Sequence, residues 1–169
     1  MTVRAIFDRA SVRRFTDDAV SDRQVEGMLR AAMAAPSACN QQPWEFYVVR
    51  DRETLERLAK ATPYAAPTGR AACCIVPCMR TSGLTAPECA QQDMGACVEN
   101  LLLAAADLGL GACWQAVYPS RDRVDNVRAA LGVPDGLDPF CLVAVGVPAT
   151  DPIPSGVKRY DESRVHRVG

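Results

Sequence analysis

Histidine occurs once in the 169 residues, as His166, and only two of the 19 basic residues are lysine. A Ser–His or Cys–His nucleophile would have to draw on that one imidazole, which lies in a charged C-terminal stretch, so such chemistry finds little support. Metal chemistry fares no better. Cys74 and Cys78 have a C-x3-C spacing, but no second pair follows, and structural zinc takes four such ligands. There is no G-x-S-x-G, no Walker-type loop and no G-x-G-x-x-G after a strand, which removes the usual marks of serine hydrolases, P-loop NTPases and dinucleotide-binding folds. The "GLGAC" of Gly109–Cys113 follows a helical pattern and reads as a helix stop. No apolar run approaches the roughly 20 residues of a membrane span. A net charge of −1 argues against nucleic acid or an anionic membrane as partner. The start, "MTVRAIFDRA", shows no apolar export signal. The eight cysteines are therefore expected as free thiols in a reducing cytoplasm.

What the chain does have is a core. Hydrophobic residues make up 49% of it and charged residues 23%, which fits one globular domain over residues 1–169. A short helix is expected over residues 2–10. Ser21 and Gln24 form a capping box ahead of Val25, Met28, Leu29, Ala32 and Met33 at helical spacing. Residues 45–50 read as a strand, and Asp51 caps a helix carrying Leu55 and Leu58. "ACCIVPCM" is a buried strand whose Pro77 predicts an edge position or a strand end. The longest helix runs from Pro87 to Leu108; its second half is apolar all round and needs cover from the core or a partner chain. "ACWQAVY" and "FCLVAVGVP" read as strands, with a helix over residues 122–131 between them. Residues 148–169 carry alternating charge and no apolar face, so a partner surface is needed to hold them.

Two stretches stand out. In "DRASVRRF", an extended backbone would put Arg9, Ser11 and Arg13 on one side. Two guanidinium forks around a hydroxyl suit a phosphate or carboxylate; a solvated turn with surface ion pairs is the plainer alternative. In "APSACNQQPWEFYVV", Ala35–Val49, a helix leaves through proline and crosses several small and polar residues before an apolar strand. That is more backbone-bonding side chain than a connection requires. The surplus marks a loop that holds something.

Together with "QDMGACVENLLLAAADLGLGACW", the strand end "AVGVP" and the tail "KRYDESRVH", these stretches resemble, in order, the nitroreductase family of FMN-dependent oxidoreductases, and most closely its short members. The resemblance covers residues 4–167. It implies an α+β fold, a mostly antiparallel central sheet flanked by helices, in an intertwined homodimer with the 148–169 tail on the partner subunit. It implies FMN as cofactor, with NADH or NADPH as donor and a small electron-poor acceptor such as a nitroaromatic or quinone. Carried over residue by residue, the FMN contacts are Arg9, Ala10, Ser11 and Arg13 in the N-terminal turn. Pro36, Ser37, Ala38 and Asn40 follow in the loop reaching the partner's flavin. Trp114, Gln115 and Ala116 pass the reactive ring edge, and Arg159 meets the phosphate with Lys158 as a weaker neighbour. Cys39 borders the substrate space. No side chain is expected to act as nucleophile, because the cofactor carries the chemistry. The sequence departs from longer relatives at Ala10, Ala116 and Val117, which leaves other flavin chemistry (dehalogenation, substrate oxidation) or flavin binding without turnover open at this point.

Overall fold

The structure is a computed structural model that describes residues 4–152 and 159–169. Among the described residues five α-helices and five strands follow in the order α1 (Arg4–Asp8), α2 (Asp22–Met33), β1 (Trp44–Val49), α3 (Arg52–Ala61), β2 (Cys73–Arg80), α4 (Ala90–Asp107), β3 (Gly111–Ala116), α5 (Arg121–Leu131), β4 (Leu137–Pro139) and β5 (Cys141–Gly146). The sheet runs β1-β2-β5-β3, with β4 paired to β2 beside β5. Every pairing between these strands is antiparallel. The expected α+β sheet flanked by helices is the one observed.

Local chemistry sets the helix starts. The Ser21 hydroxyl accepts from the Gln24 amide at 3.3 Å, and the Ser21 amide donates to Gln24 Oε1 at 2.9 Å, closing the reciprocal cap of α2. Asp51 accepts the Thr54 amide at 2.8 Å and the Thr54 hydroxyl at 2.7 Å. These bonds, the hydroxyl's first, hold the Asp51 carboxyl below its ordinary range. Leu55 and Leu58 anchor α3 in full burial, each contributing about 1.5–3 kcal/mol relative to exposure.

The strand period of two divides the core. Cys73 and Ile75 of β2 face a cluster with Met28 of α2 and Met94, Leu101 of α4, while Cys74, Val76 and Cys78 face Leu55, Leu58, Val124 and Val127 of α3 and α5. The sheet is thus a middle layer, and β2 is buried on both faces. The expectation that Pro77 marks an edge or a strand end is corrected: β2 lies inside the sheet. The Arg80 amide donates to Pro43 O on the β1 side, whereas Pro77 O accepts from Phe140 on the other. Pro77 therefore aims its missing N–H away from β1. There β5 pairs only up to Ile75 and β4 begins at Cys78, so no ladder bond is lost.

A buried carboxylate fastens the far layer. Asp138 of β4 accepts from Arg121 and Arg128 of α5, each at 2.9 Å. Both lone-pair regions of the acid are used, which is what a buried charge requires.

All eight cysteines are free, and six of them are buried. Burial pushes the thiols of Cys74, Cys78 and Cys97 up to about 12 and that of Cys73 to about 11. Thiolate is the reactive form, so these groups stay protonated and inert near neutrality. A thiol reagent added to native protein should modify exposed Cys39 first and half-buried Cys89 next, with the other six reacting only after unfolding. Rapid uptake by more than two thiols in native protein would overturn this.

Candidate functional site

The segment 10–16 runs along the free side of β3 and across the end of β5. Ser11 pairs in parallel with Ala112, and Phe15 pairs with Pro148. The Val12 and Thr16 amides donate to Ala112 and Val147 at 3.0 and 2.9 Å, and the Ala149 amide donates back to Arg14 O at 3.1 Å. Two glycines let the segment lie this close. A Cβ on Gly111 would stand 2.7 Å from the Val12 side chain, and one on Gly146 would stand 2.9 Å from the Phe15 ring. Gly111→Ala should therefore push Val12, and the flanking Ser11 and Arg13, off the sheet. The expected cost is about 1–3 kcal/mol of stability, the range for overpacking, measured by denaturant titration. An unchanged midpoint would show that the segment yields freely.

This segment forms one wall of a cavity of about 500 Å³, lined also by Thr150, Asp151, Pro152 and Arg159. Among the described residues, three arginines, Arg13, Arg14 and Arg159, line it against one acid, Asp151. The balance favours an anion, and the fork of each guanidinium suits phosphate oxygens. Arg14 was not singled out in the sequence, although the Arg-Arg pair was its signal. Lys158 lies outside the described residues.

Arg9 does not share that wall. Its amide still donates to Ala5 O in the last turn of α1, so strand alternation begins only after it. Its side chain lines the neighbouring cavity of about 460 Å³ and pairs with Glu99 of α4 at 3.4 Å. Ala10 lines both cavities.

On the other side of Arg13 opens a cavity of about 390 Å³, walled by Cys113, Trp114, Gln115, Ala116, Tyr64 and Pro67. Here β3 alternates: Trp114 and Ala116 are exposed, and Gln115 is turned inward with 2% of its surface accessible. Gln115 Oε1 accepts from the Thr68 hydroxyl at 2.7 Å, while its amide nitrogen is buried without an acceptor among the described residues. A buried donor without a partner is uncommon enough to require a reason. Tyr64, which the sequence did not flag, carries the Arg123 guanidinium 5.0 Å above its ring. Arg13 is thus the hinge of two cavities, one cationic and one with aromatic and amide walls.

The remaining candidates sit elsewhere. Pro36, Ser37, Ala38, Cys39 and Asn40 line none of these cavities. They form a tight loop with a 3-10 turn at Ala38–Asn40, in which Pro36, Cys39 and Asn40 are exposed. Cys39, Asn40 and Gln42 all have positive φ, at 51°, 51° and 45°. Within one chain the candidates therefore fall into three groups: the Ser11–Arg13 and Trp114–Ala116 walls with Arg159, Arg9 in the neighbouring cavity, and this loop.

Comparison with known proteins identifies the frame. The sequence profile of the Nitroreductase family matches residues 6–68 and 62–147. A protein of Archaeoglobus fulgidus, provisionally named an NADH dehydrogenase/NAD(P)H nitroreductase, is 38% identical over 167 residues, covering 98% of this chain and 96% of its own. A crystal structure from Parabacteroides distasonis, provisionally named in the same way, superposes with a TM-score of 0.90 at 37% identity, covering 99% of this chain and 97% of its own. A second, from Desulfovibrio desulfuricans, was determined in complex with FMN and provisionally named a nitroreductase. It superposes with a TM-score of 0.83 at 31% identity, over 99% of this chain and 96% of its own. The ordered motifs, the three-layer fold and these matches agree: the chain belongs to the nitroreductase family.

Proposed function

We propose that this protein is a cytoplasmic, homodimeric, FMN-dependent oxidoreductase that passes reducing equivalents from NADH or NADPH to a flat, electron-poor acceptor in alternating half-reactions. The observation that carries the reading is the position of Arg13 between a cavity built for an anion and a cavity with an aromatic and amide wall. A flavin mononucleotide has those two ends: a phosphate and a planar ring with carbonyl and imide groups. The cation-rich wall on one side of Arg13 and the exposed Trp114 and Ala116 of β3 on the other make the lining fit it. The relative determined with FMN supports the same assignment.

When bound, FMN supplies hydride acceptance and return. The chain's own residues bind and bias it. Arg14 and Arg159 hold the phosphate, with Ser11 beside them. Arg13 places a positive charge where negative charge grows on reduction, which is electrostatic stabilisation of the reduced state. The exposed Trp114 and the backbone of Gln115–Ala116 border the ring. The loop Pro36–Asn40, remote from these walls in its own chain, closes the partner's site, so each site needs two chains.

Anaerobic mixing with NADH or NADPH tests the reading. Rapid bleaching of the bound flavin's visible band is expected with one of them, with colour restored by a nitroaromatic or quinone. A yellow protein that neither nucleotide bleaches would instead favour another flavin chemistry or simple flavin binding. Cys39, exposed at the loop tip, is read as a small residue bordering the acceptor rather than a redox thiol. Cys39→Ser should leave nucleotide oxidation within about twofold, as surface changes usually do. Loss of turnover with FMN still bound would make the thiol part of the chemistry.

A further inference from the structure

The loop at Ser37–Gln42 is held by a buried polar clamp that its own conformation does not explain. Three of its residues, Cys39, Asn40 and Gln42, lie in the left-handed region without being glycine. Each such residue is unfavourable and persists only where its surroundings fix it. The surroundings here are specific. Asp93, in the first turn of α4 and 6% exposed, accepts from the Ala38 amide at 2.9 Å and from Gln41 Nε2 at 2.7 Å. Gln41 is itself locked. Its Oε1 accepts from the Ala86 amide and its Nε2 donates to Ala86 O, both at 2.9 Å. Arg80 Nη2 donates to the carbonyls of Gln41 and Gln42 at 2.6 and 3.0 Å, and the Gln42 amide donates to Ser37 Oγ at 3.0 Å.

Two consequences follow from donor and acceptor counting. The Ala86 bonds fix which end of the Gln41 amide faces Asp93, so position 93 has to accept twice. Only an ionised carboxylate does this without presenting a donor. Asparagine has the same shape but sets an N–H against either Gln41 Nε2 or the Ala38 amide. The clamp also joins elements far apart in sequence, the start of α4 and the end of β2, to one loop that contributes nothing to the core cluster beyond Trp44 after it. A loop strained at three positions and fastened by a buried acid and a half-buried arginine is shaped for contact, not for connection.

The geometry points to Asp93, through Gln41 and with Arg80 as its counterpart, as the residue that positions this loop against the flavin of the partner subunit. This rests on the reading of the loop as a flavin contact. Asp93 touches no ligand itself; it is a positioning residue.

The test uses the full-length protein stripped of flavin and titrated with FMN by fluorescence quenching. Thermal midpoints with and without FMN and visible circular dichroism of the bound flavin are recorded alongside. Asp93→Asn should raise the FMN dissociation constant about tenfold, alter the flavin's circular dichroism and shrink the rise in Tm that FMN confers, since ligand stabilisation tracks affinity. Gln41→Leu, which leaves the Asp93–Ala38 bond in place, should do the same to a smaller degree. A role in the fold alone would lower the flavin-free midpoint while leaving the dissociation constant and the dichroism of the folded dimer as in the wild type; that result overturns the proposal. So does failure of both variants to give a folded dimer. If the wild type itself binds no FMN, the functional reading fails first. If the wild type binds FMN, Arg13→Ala loses it and Asp93→Asn does not, only the positioning claim fails.

Discussion

Arg13→Ala should lower FMN affinity about ten- to a hundredfold and shift the flavin midpoint potential to more negative values. A hydrogen bond from a charged group contributes roughly 1.5–3 kcal/mol, and each 1.4 kcal/mol is about tenfold in affinity. Arg13 belongs to both cavities, so on the proposed reading the substitution acts at both ends of the ligand. The sign of the potential shift follows from charge: removing a cation disfavours the form that gains negative charge. Equilibrium titration and a reduction titration against a reference dye check the two effects separately. An Arg13→Ala protein that retains FMN and an unchanged potential would reduce Arg13 to a surface charge.

Truncation after Thr150 should have a larger effect still, removing both the flavin and the dimer. It deletes Asp151, Pro152 and Arg159 from the wall of the anion cavity. It also deletes a tail whose described residues, 159–169, are all exposed in the single chain, Tyr160 at 75%. The same lack of cover recurs on other elements. No residue of α1 is buried, and Ile6 and Phe7 stand exposed on it; an isolated five-residue helix is not stable without a packed face. Leu103, Ala104 and Ala106 of α4 are only half-buried, as the all-round apolar pattern of that helix foretold. On the proposed reading a second copy covers these surfaces through an interface well above the roughly 1,600 Å² of a standard complex. Sedimentation with flavin absorbance recorded alongside should show a yellow dimer for the full chain and colourless, dissociated material for the truncation. A flavin-loaded monomer in either sample would end the two-chain model of the site.

The features legible in the sequence were those decided locally. The Ser21–Gln24 reciprocal cap, the Asp51 cap and the stop at Gly109, with φ of 71°, each depend on residues within one turn of each other. Pro77 was misleading because a proline's effect depends on which side its N–H would have faced, and that is set by the break between β4 and β5. Strand β4, "LDP", has no apolar run and exists because Cys78–Arg80 pair with it. Arg9 follows the helix rather than the strand period because its amide still closes the last turn of α1 onto Ala5 O. The Asp93 clamp has one visible signal in the sequence: Asp93 lies one turn before Cys97 on the buried stripe of α4, where an acid needs a partner. The partner, Gln41, is 52 residues away, and no local pattern reveals it.

The anion cavity is stitched from segments far apart in the sequence, residues 10–14 and residues 150–152 with Arg159, and that sets an order in time. Val12 and Thr16 wait for acceptors on Ala112 and Val147, and Arg14 waits for the Ala149 amide. During synthesis the first arm leaves the ribosome long before either acceptor exists. A growing chain can complete β1, α3 and β2 while this arm has nothing to lie on, so the cradle closes only after Val147 and Ala149 have been made. Flavin uptake on the proposed reading therefore follows the synthesis of Ala149, and the seam that closes last is expected to open first. Hydrogen exchange on flavin-free protein should run faster at the Val12, Thr16 and Ala149 amides than at Ile75 in the middle of the sheet, and added FMN should slow those three far more than Ile75. A newly made chain and an aged one losing its cofactor would then pass through the same half-open form, from opposite directions.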